Sequence, residues 1–317
     1  MNYTKIISDM QQLYTSDFSS KTELPAYSSF PYDTVYEGQN EAIKTIMEED
    51  KSLLCSHTGS GKSSVFLTAA HELELPTLVI EPRKFLQVQL GEYFNDFVLF
   101  GKSEYKCFYA DSAAHAPCAK IHTKDKQKYF FVRNQYTWET DEKIYPCNGC
   151  EYFHARIEAR KRLTDKSILI VNMGNFWIWR DAAKFIIVDE ADEFFRSISS
   201  GIGLYDVTTK DINETDKDMT IISLLEKERE ATEHKIEHIK EKKIIEVRDA
   251  KKLNALKTHL EKISFFQMNV EECFYYTKKT TKQVYVELRP DKIAVLVDKL
   301  FSDVKLCLVS ATPSALL

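Results

Sequence analysis

A short apolar run, Ser52 to Cys55, passes directly into His57-Thr58-Gly59-Ser60-Gly61-Lys62-Ser63 and from there into a helical pattern, SSVFLTAAHEL. Few arrangements leave a chain so little freedom of fold. Strand, glycine turn and helix in this order form a phosphate-binding loop. The glycines let backbone N–H groups curl around phosphate oxygens, while the helix N-terminus adds partial positive charge. In such a loop Thr58, Gly59, Ser60 and Gly61 surround the phosphates, Lys62 reaches the β and γ phosphates of ATP, and the Ser63 hydroxyl ligates Mg2+. Ser56 stands where the first glycine of the pattern is usual, a change that a small residue tolerates because the curl depends on Gly59 and Gly61. The whole chain has nine glycines, so two of them within three residues beside Lys-Ser set this loop apart from ordinary turn composition.

A second motif ends another strand. FIIVDEADEFF sets four apolar residues before Asp189-Glu190-Ala191-Asp192, so a buried strand delivers carboxylates to its C-terminal edge, where ligands bind in open α/β sheets. Asp189 is suited to hold Mg2+, directly or through water, and Glu190 to orient and deprotonate an attacking water. Paired with the phosphate loop, these residues make a nucleotide hydrolase site. Thr77 to Ile80, Ile168 to Val171 and Lys305 to Val309 read as further buried parallel strands, and RKFLQVQLGEYF after Pro82 reads as an amphipathic helix. The alternation predicts an α/β fold with a doubly wound parallel sheet.

Charge adds a limit. With 43 basic and 48 acidic residues, a net charge of −5 and 44% hydrophobic residues, the chain has ample core material, and any nucleic-acid contact has to come from a local basic surface. The start, MNYTKIISDMQQLY, lacks a basic segment followed by an apolar run, and no stretch reaches the length that spans a bilayer. The expectation is an intracellular chain, cytoplasmic or nucleoid-associated, not secreted and with no membrane partner.

Two regions break the α/β rhythm. Residues 101–165 hold four of the seven cysteines and end in a basic helical segment, YFHARIEARKRL; within residues 205–290, Leu253, Leu256, Leu260 and Ile263 repeat at coiled-coil spacing and FYYTKKTTKQVYVEL reads as two strands around a polar turn. The expected organisation is a motor-type core over 1–100, 166–204 and 291–317, interrupted by a cysteine-bearing insertion at 101–165 and a mostly helical insertion at 205–290. Cys107, Cys118, Cys147 and Cys150 are spaced C-x10-C-x28-C-x2-C. Four thiolates suit tetrahedral Zn2+ or an iron–sulfur cluster, and by spacing alone zinc is preferred. His115, His122 and His154 are close enough in sequence to serve as alternative zinc ligands, whereas Cys55, Cys273 and Cys307 sit in apolar contexts and read as packing residues.

HTGSGKS at 57–63, DEAD at 189–192 and SAT at 310–312 stand in an order that resembles the first motor domain of superfamily 2 helicases. FPYDTVYEGQNEAI at 30–43 resembles the N-terminal element of the XPD and DinG helicases, and CNGCEYFHAR, ILIVNMGNF and TLVIEPRKFLQ resemble further stretches of that family. The resemblance implies a RecA-like P-loop domain with an iron–sulfur insertion and a helical arch. It implies that Gln39, with Phe30 and Tyr36 nearby, recognises adenine, and that the four cysteines hold a 4Fe–4S cluster, Zn2+ being the alternative. It places Arg83 and Lys84 on DNA, and it gives Ser310, Ala311 and Thr312 the task of coupling nucleotide state to DNA. From residue type, Arg156 and Arg160 on the basic helix, and KDKQKYFFVRNQYTW, suit single-stranded DNA, with cations on phosphate and rings under bases.

The implied activity is an ATP-dependent DNA helicase of 5′→3′ polarity. The family's second motor domain does not follow the SAT motif, since the sequence stops at Leu317, so that half is expected in cis or in trans and turnover by this chain alone is expected to be low. The rival expectation is a non-catalytic module that binds single-stranded DNA or protein.

Overall fold

The computed structural model describes residues 21–107, 112–115, 137–140, 143–146, 150–199, 201–207, 217–241, 247–279, 284–290, 298 and 300–311. Cys118, Cys147, His122 and Thr312, all singled out above, lie outside the described residues. In chain order the elements are β1 (Thr22–Glu23), β2 (Val35–Tyr36), α1 (Gln39–Glu48), β3 (Lys51–Cys55), α2 (Lys62–Leu73), β4 (Thr77–Ile80), α3 (Lys84–Phe94), β5 (Phe97–Leu99), β6 (Thr137–Thr140), β7 (Lys143–Pro146), α4 (Glu151–Thr164), β8 (Ile168–Val171), α5 (Met173–Trp179), β9 (Phe185–Val188), α6 (Ala191–Ser199), β10 (Ile202–Leu204), α7 (Lys217–Lys240), α8 (Val247–Gln267), β11 (Cys273–Lys279), β12 (Val284–Pro290) and β13 (Lys305–Ser310).

The chain divides into two compact units, one of residues 1–101, 155–199 and 292–317, the other of residues 102–154 and 200–291. The two stretches that interrupt the α/β rhythm therefore fall into one unit. Their boundary with the core lies inside α4, so the basic half of that helix belongs to the first unit.

In the first unit, strands join in the order β3-β13-β9-β4-β8-β5, and every ladder is parallel. The strands β4, β8 and β9 are buried at every position, which is why they read as unbroken apolar runs and not as alternating ones. One face packs Leu54, Val79, Ile170, Ile187 and Val309 beneath α1 and α2, with Ile43, Phe66 and Leu67 fully buried. On other elements of this unit, Phe176, Phe194 and Phe301 meet at centroid distances of 5.3, 5.8 and 6.0 Å, the offset geometry that aromatic rings favour. The C-terminal ends of β3, β13 and β9 line up at one edge, where Ser310 pairs with Cys55 and the Ser56 N–H donates to the Ser310 carbonyl at 3.4 Å.

The second unit holds an antiparallel sheet in the order β10-β12-β11, a helical hairpin of α7 and α8, and a β6–β7 hairpin. The leucine seam expected along α8 packs against α7: Leu253 lies in a core with Ile236 and Ile239, and Leu256 and Leu260 cover it. Among the described residues, no helix is long and apolar enough to cross a membrane.

Candidate active site

The loop after β3 owes its shape to two left-handed glycines. Gly59 and Gly61 have φ of 86° and 82°, values that cost a side-chain-bearing residue roughly 1 kcal/mol or more. A Cβ on Gly61 would lie 2.6 Å from Gln39 Nε2, so the glycine is also required by close approach. Gly61 caps α2 with no side-chain hydrogen bond, and the first turn carries no acidic residue. The first N–H groups of α2 are thus left for a ligand, and the helix dipole favours an anion there.

Lys62 lies across this loop, its Nζ donating to the Ser56 and His57 carbonyls at 2.8 and 2.9 Å. Burial pulls its ammonium below the ordinary value, against the pull of Asp189 and Glu190. Gln39 is 2% exposed. Its Oε1 accepts from the Tyr36 N–H at 3.0 Å and its Nε2 donates to the Ser60 carbonyl at 2.9 Å. The amide joins the chain at Tyr36 to the phosphate loop.

Asp189 follows β9, and its Oδ1 accepts the Glu190 N–H at 2.9 Å. Glu190 has a φ of 49°, the left-handed region where a residue without glycine's freedom is strained and which recurs at functional sites. Beside them stands a carboxyl that sequence reasoning missed. Glu81 is fully buried; its Oε1 accepts the Arg83 N–H at 2.7 Å. Burial first, and then the Asp189 charge, push Glu81 up to about 8, and its Oε2 is buried with no hydrogen-bond partner among the described residues. Burial likewise pushes Asp189 up to about 6, while the Glu190 N–H and Lys62 favour its charged form.

A cavity of about 640 Å³ joins these groups, lined by Phe30, Tyr36, Gln39, Thr58, Gly59, Gly61, Lys62, Ser63, Asp189, Glu190 and Ala311. Ser60 and Ser310 are buried, at 3% and 1% exposure. Tyr32, Gln89 and Tyr93 also line the cavity. Tyr32 belongs to the FPYDTVYEGQNEAI element, Gln89 and Tyr93 carried no motif, and Tyr32 and Tyr93 pack edge to face at 6.5 Å. The arrangement offers a phosphate cradle, a cation, a serine hydroxyl with an opposing carboxylate for a divalent metal, and a carboxylate for water.

Residues 36–224 match the model of the DEAD/DEAH box helicase family. The chain belongs to the DEAD/DEAH box helicase family. Among solved structures, this helicase-family chain is similar to an XPD helicase at 13% identity with a TM-score of 0.41, over 86% of this chain and 57% of that one. The curated proteins contain no match.

Three of the four positions assigned to nucleic acid in this family member, Arg83, Lys84 and Arg156, make internal contacts. The Arg83 guanidinium meets Glu193 at 2.6 Å and Glu190 at 3.7 Å, Lys84 lies 5.7 Å from the Phe100 ring centre, and Arg156 lies 6.0 Å from that of Trp179. Arg160 is exposed on α4. Of the four clustered cysteines, Cys107 and Cys150 are half-buried and close enough for the Cys107 charge to raise Cys150; burial is the larger cause, and the N–H groups of Phe153 and Tyr152 at the start of α4 oppose it. These two thiols lie within electrostatic reach of each other and are the described part of the expected four-cysteine ligand set. Among the described residues no three metal-ligating side chains gather. Cys55, Cys273 and Cys307 are buried in their strands, as packing residues are.

Proposed function

We propose that this chain is the first motor domain of an ATP-dependent DNA helicase of the XPD/DinG type, with 5′→3′ polarity, coupling ATP binding and hydrolysis to movement along single-stranded DNA. The observation that carries this reading is the meeting of Lys62, Ser63, Asp189 and Glu190 in one cavity, at the sheet edge where the β9 and β13 motifs also end. Lys62 neutralises the β and γ phosphates, Ser63 and Asp189 hold Mg2+, and Glu190 orients and deprotonates the attacking water. Gln39, which lines the cavity and braces the loop through its amide, recognises the adenine together with Phe30 and Tyr36. Ser310, Ala311 and Thr312 carry the nucleotide state to the strand-binding surface.

An arginine from the second motor domain, worth about 10³–10⁵ in rate in related phosphate-loop systems, is supplied in cis or in trans. Cys107, Cys118, Cys147 and Cys150 would hold a 4Fe–4S cluster, or Zn2+ as the alternative, which supplies a rigid thiolate-bound anchor for that segment. The test is ATP turnover with and without single-stranded DNA, in the wild type and in Lys62→Ala. A slow, DNA-stimulated rate that the substitution abolishes is the expected result. Turnover in neither condition sinks the enzyme reading.

A further inference from the structure

The sheet of the second unit has one face in a core and one face open. Ile202, Leu204, Cys273, Val286 and Leu288 are buried, and side chains alternate along strands, so their neighbours point the other way. Register places Phe274 opposite Arg289 and Tyr276 opposite Glu287 on β11 and β12, with Tyr285 two residues before Glu287 on β12 and Gly203 of β10 on the far side of Glu287. The open face is therefore written in aromatic and charged residues, where a solvated sheet face ordinarily carries small polar ones.

Its rings are arranged as surfaces. Tyr205 is 56% exposed and Phe274 37%. The Tyr205 ring lies so close over Gly203 that a Cβ there would come within 2.9 Å of it, so one face of the ring covers the strand. Tyr285 lies beside it at a 5.0 Å centroid distance, and Phe274 stacks on Tyr276 at 6.1 Å and 27°. A cleft of about 370 Å³ is lined by Tyr205 and Tyr285 together with His259 and Lys262 of α8 and Arg289. The Glu287 carboxylate is tied down by the Tyr276 hydroxyl at 2.6 Å and by Arg289 Nε at 2.8 Å, while the Arg289 side chain stays 42% exposed.

We infer that this open sheet face is a binding platform for single-stranded DNA, with Tyr205 and Tyr285 stacking on bases and Arg289 and Lys262 taking the phosphates. Flat rings on a sheet, interleaved with cations, are the general solution to strand binding without base pairing. Complementary charge and the lack of outward aliphatic side chains on the described face argue against a protein helix as the occupant. The inference rests on the strand-binding function proposed above and adds a second place for the strand, built by β10, β11 and β12.

The test is fluorescence anisotropy of a labelled oligothymidylate on the whole chain, together with the quenching of a 2-aminopurine placed within the strand, which reports stacking directly. Tyr205→Ala and Tyr285→Ala are each expected to weaken binding about tenfold or more, as loss of one base stack does, and to remove part of the quenching; Tyr205→Phe keeps both. Arg289→Ala is expected to lower the slope of log K against log salt by about 0.7, one phosphate contact on a single strand. Wild-type affinity and quenching in both alanine variants overturns the platform and leaves the proposed helicase function intact. A wild-type chain that binds no strand overturns that function and the platform with it. Tighter binding of RNA of the same base composition overturns the assignment to DNA. Self-association of the wild type that Tyr205→Ala abolishes overturns it in favour of a contact between copies of the chain.

Discussion

Glu81 stands beside Asp189 because β4 pairs with β9 in a register that sets Ile80 against Val188. The next residue on each strand is a carboxylic acid, and the two meet at the buried sheet edge. One proton serves the pair best when Glu81 keeps it, for Glu81 is fully buried whereas Asp189 has the Glu190 N–H and Lys62 nearby. The folded-state value of about 8 lies above the ordinary 4.5, so between those values the folded protein binds more protons than the unfolded chain. Stability therefore falls as pH rises through that window, by at most about 1.4 kcal/mol per pH unit for one proton. Glu81→Gln keeps the size of the side chain and has no proton to lose. Urea unfolding of Mg2+-free protein is expected to give a pH slope for the wild type that flattens in Glu81→Gln; parallel slopes would falsify the raised Glu81 carboxyl. Lys62, Asp189 and Glu190 could be read from the sequence because a motif marks each of them. Glu81 could not, because after TLVI it is one more polar residue, and only strand register turns it toward Asp189.

At the scale of elements, Arg83 fastens the loop between β4 and α3 to the start of α6. Its N–H is held by Glu81 and its guanidinium by Glu193 and Glu190, so one side chain touches both the strand-contact motif and the carboxylate assigned to water. The exposed part of this network adds little stability, about 0–1 kcal/mol, and its value lies in holding Glu190 in its left-handed conformation. Arg83→Ala is therefore expected to lower turnover about tenfold, or 1.4 kcal/mol of barrier, with KM for ATP and melting temperature unchanged, and Arg83→Lys to restore part of it. An unchanged kcat with a raised KM, or a melting temperature several degrees lower, would assign Arg83 to nucleotide binding or to packing instead. The long buried strands were legible because unbroken β-branched runs suit a sheet covered on both faces. The strands β5 and β10 escaped notice because three residues carry no period, and α1 because its short buried stripe of Ala42, Ile43 and Ile46 lies inside an element read only for its glutamine and aromatics.

At the scale of the molecule, the second unit is closed by residues far apart in sequence. Lys102 lies 5.5 Å from the Tyr152 ring centre and Tyr105 packs on the same ring at 5.4 Å. The turn at Ala113–His115 packs on α8. Composition reads the cysteine stretch and the helical stretch as separate insertions, because nothing in local sequence announces that residues 113–115 and 247–267 share a core. Such a unit, drawn from two distant stretches, bears a large loop-closure cost. The thiolate ligation proposed for Cys107 and Cys150 would offset that cost in the way structural metals add directly to folding free energy. Cys150→Ser, or a strong chelator, is therefore expected to speed amide hydrogen exchange across residues 102–154 and 200–291, leaving peptides of β3, β4, β9 and β13 protected and ATP affinity within about twofold. Equal loss of protection in both units would mean that the cysteines stabilise the molecule as one cooperative body. Exchange unchanged in either unit would mean that the thiols bear no structural metal, and the stability of the second unit would then rest on the α7–α8 core and the β10-β12-β11 sheet alone.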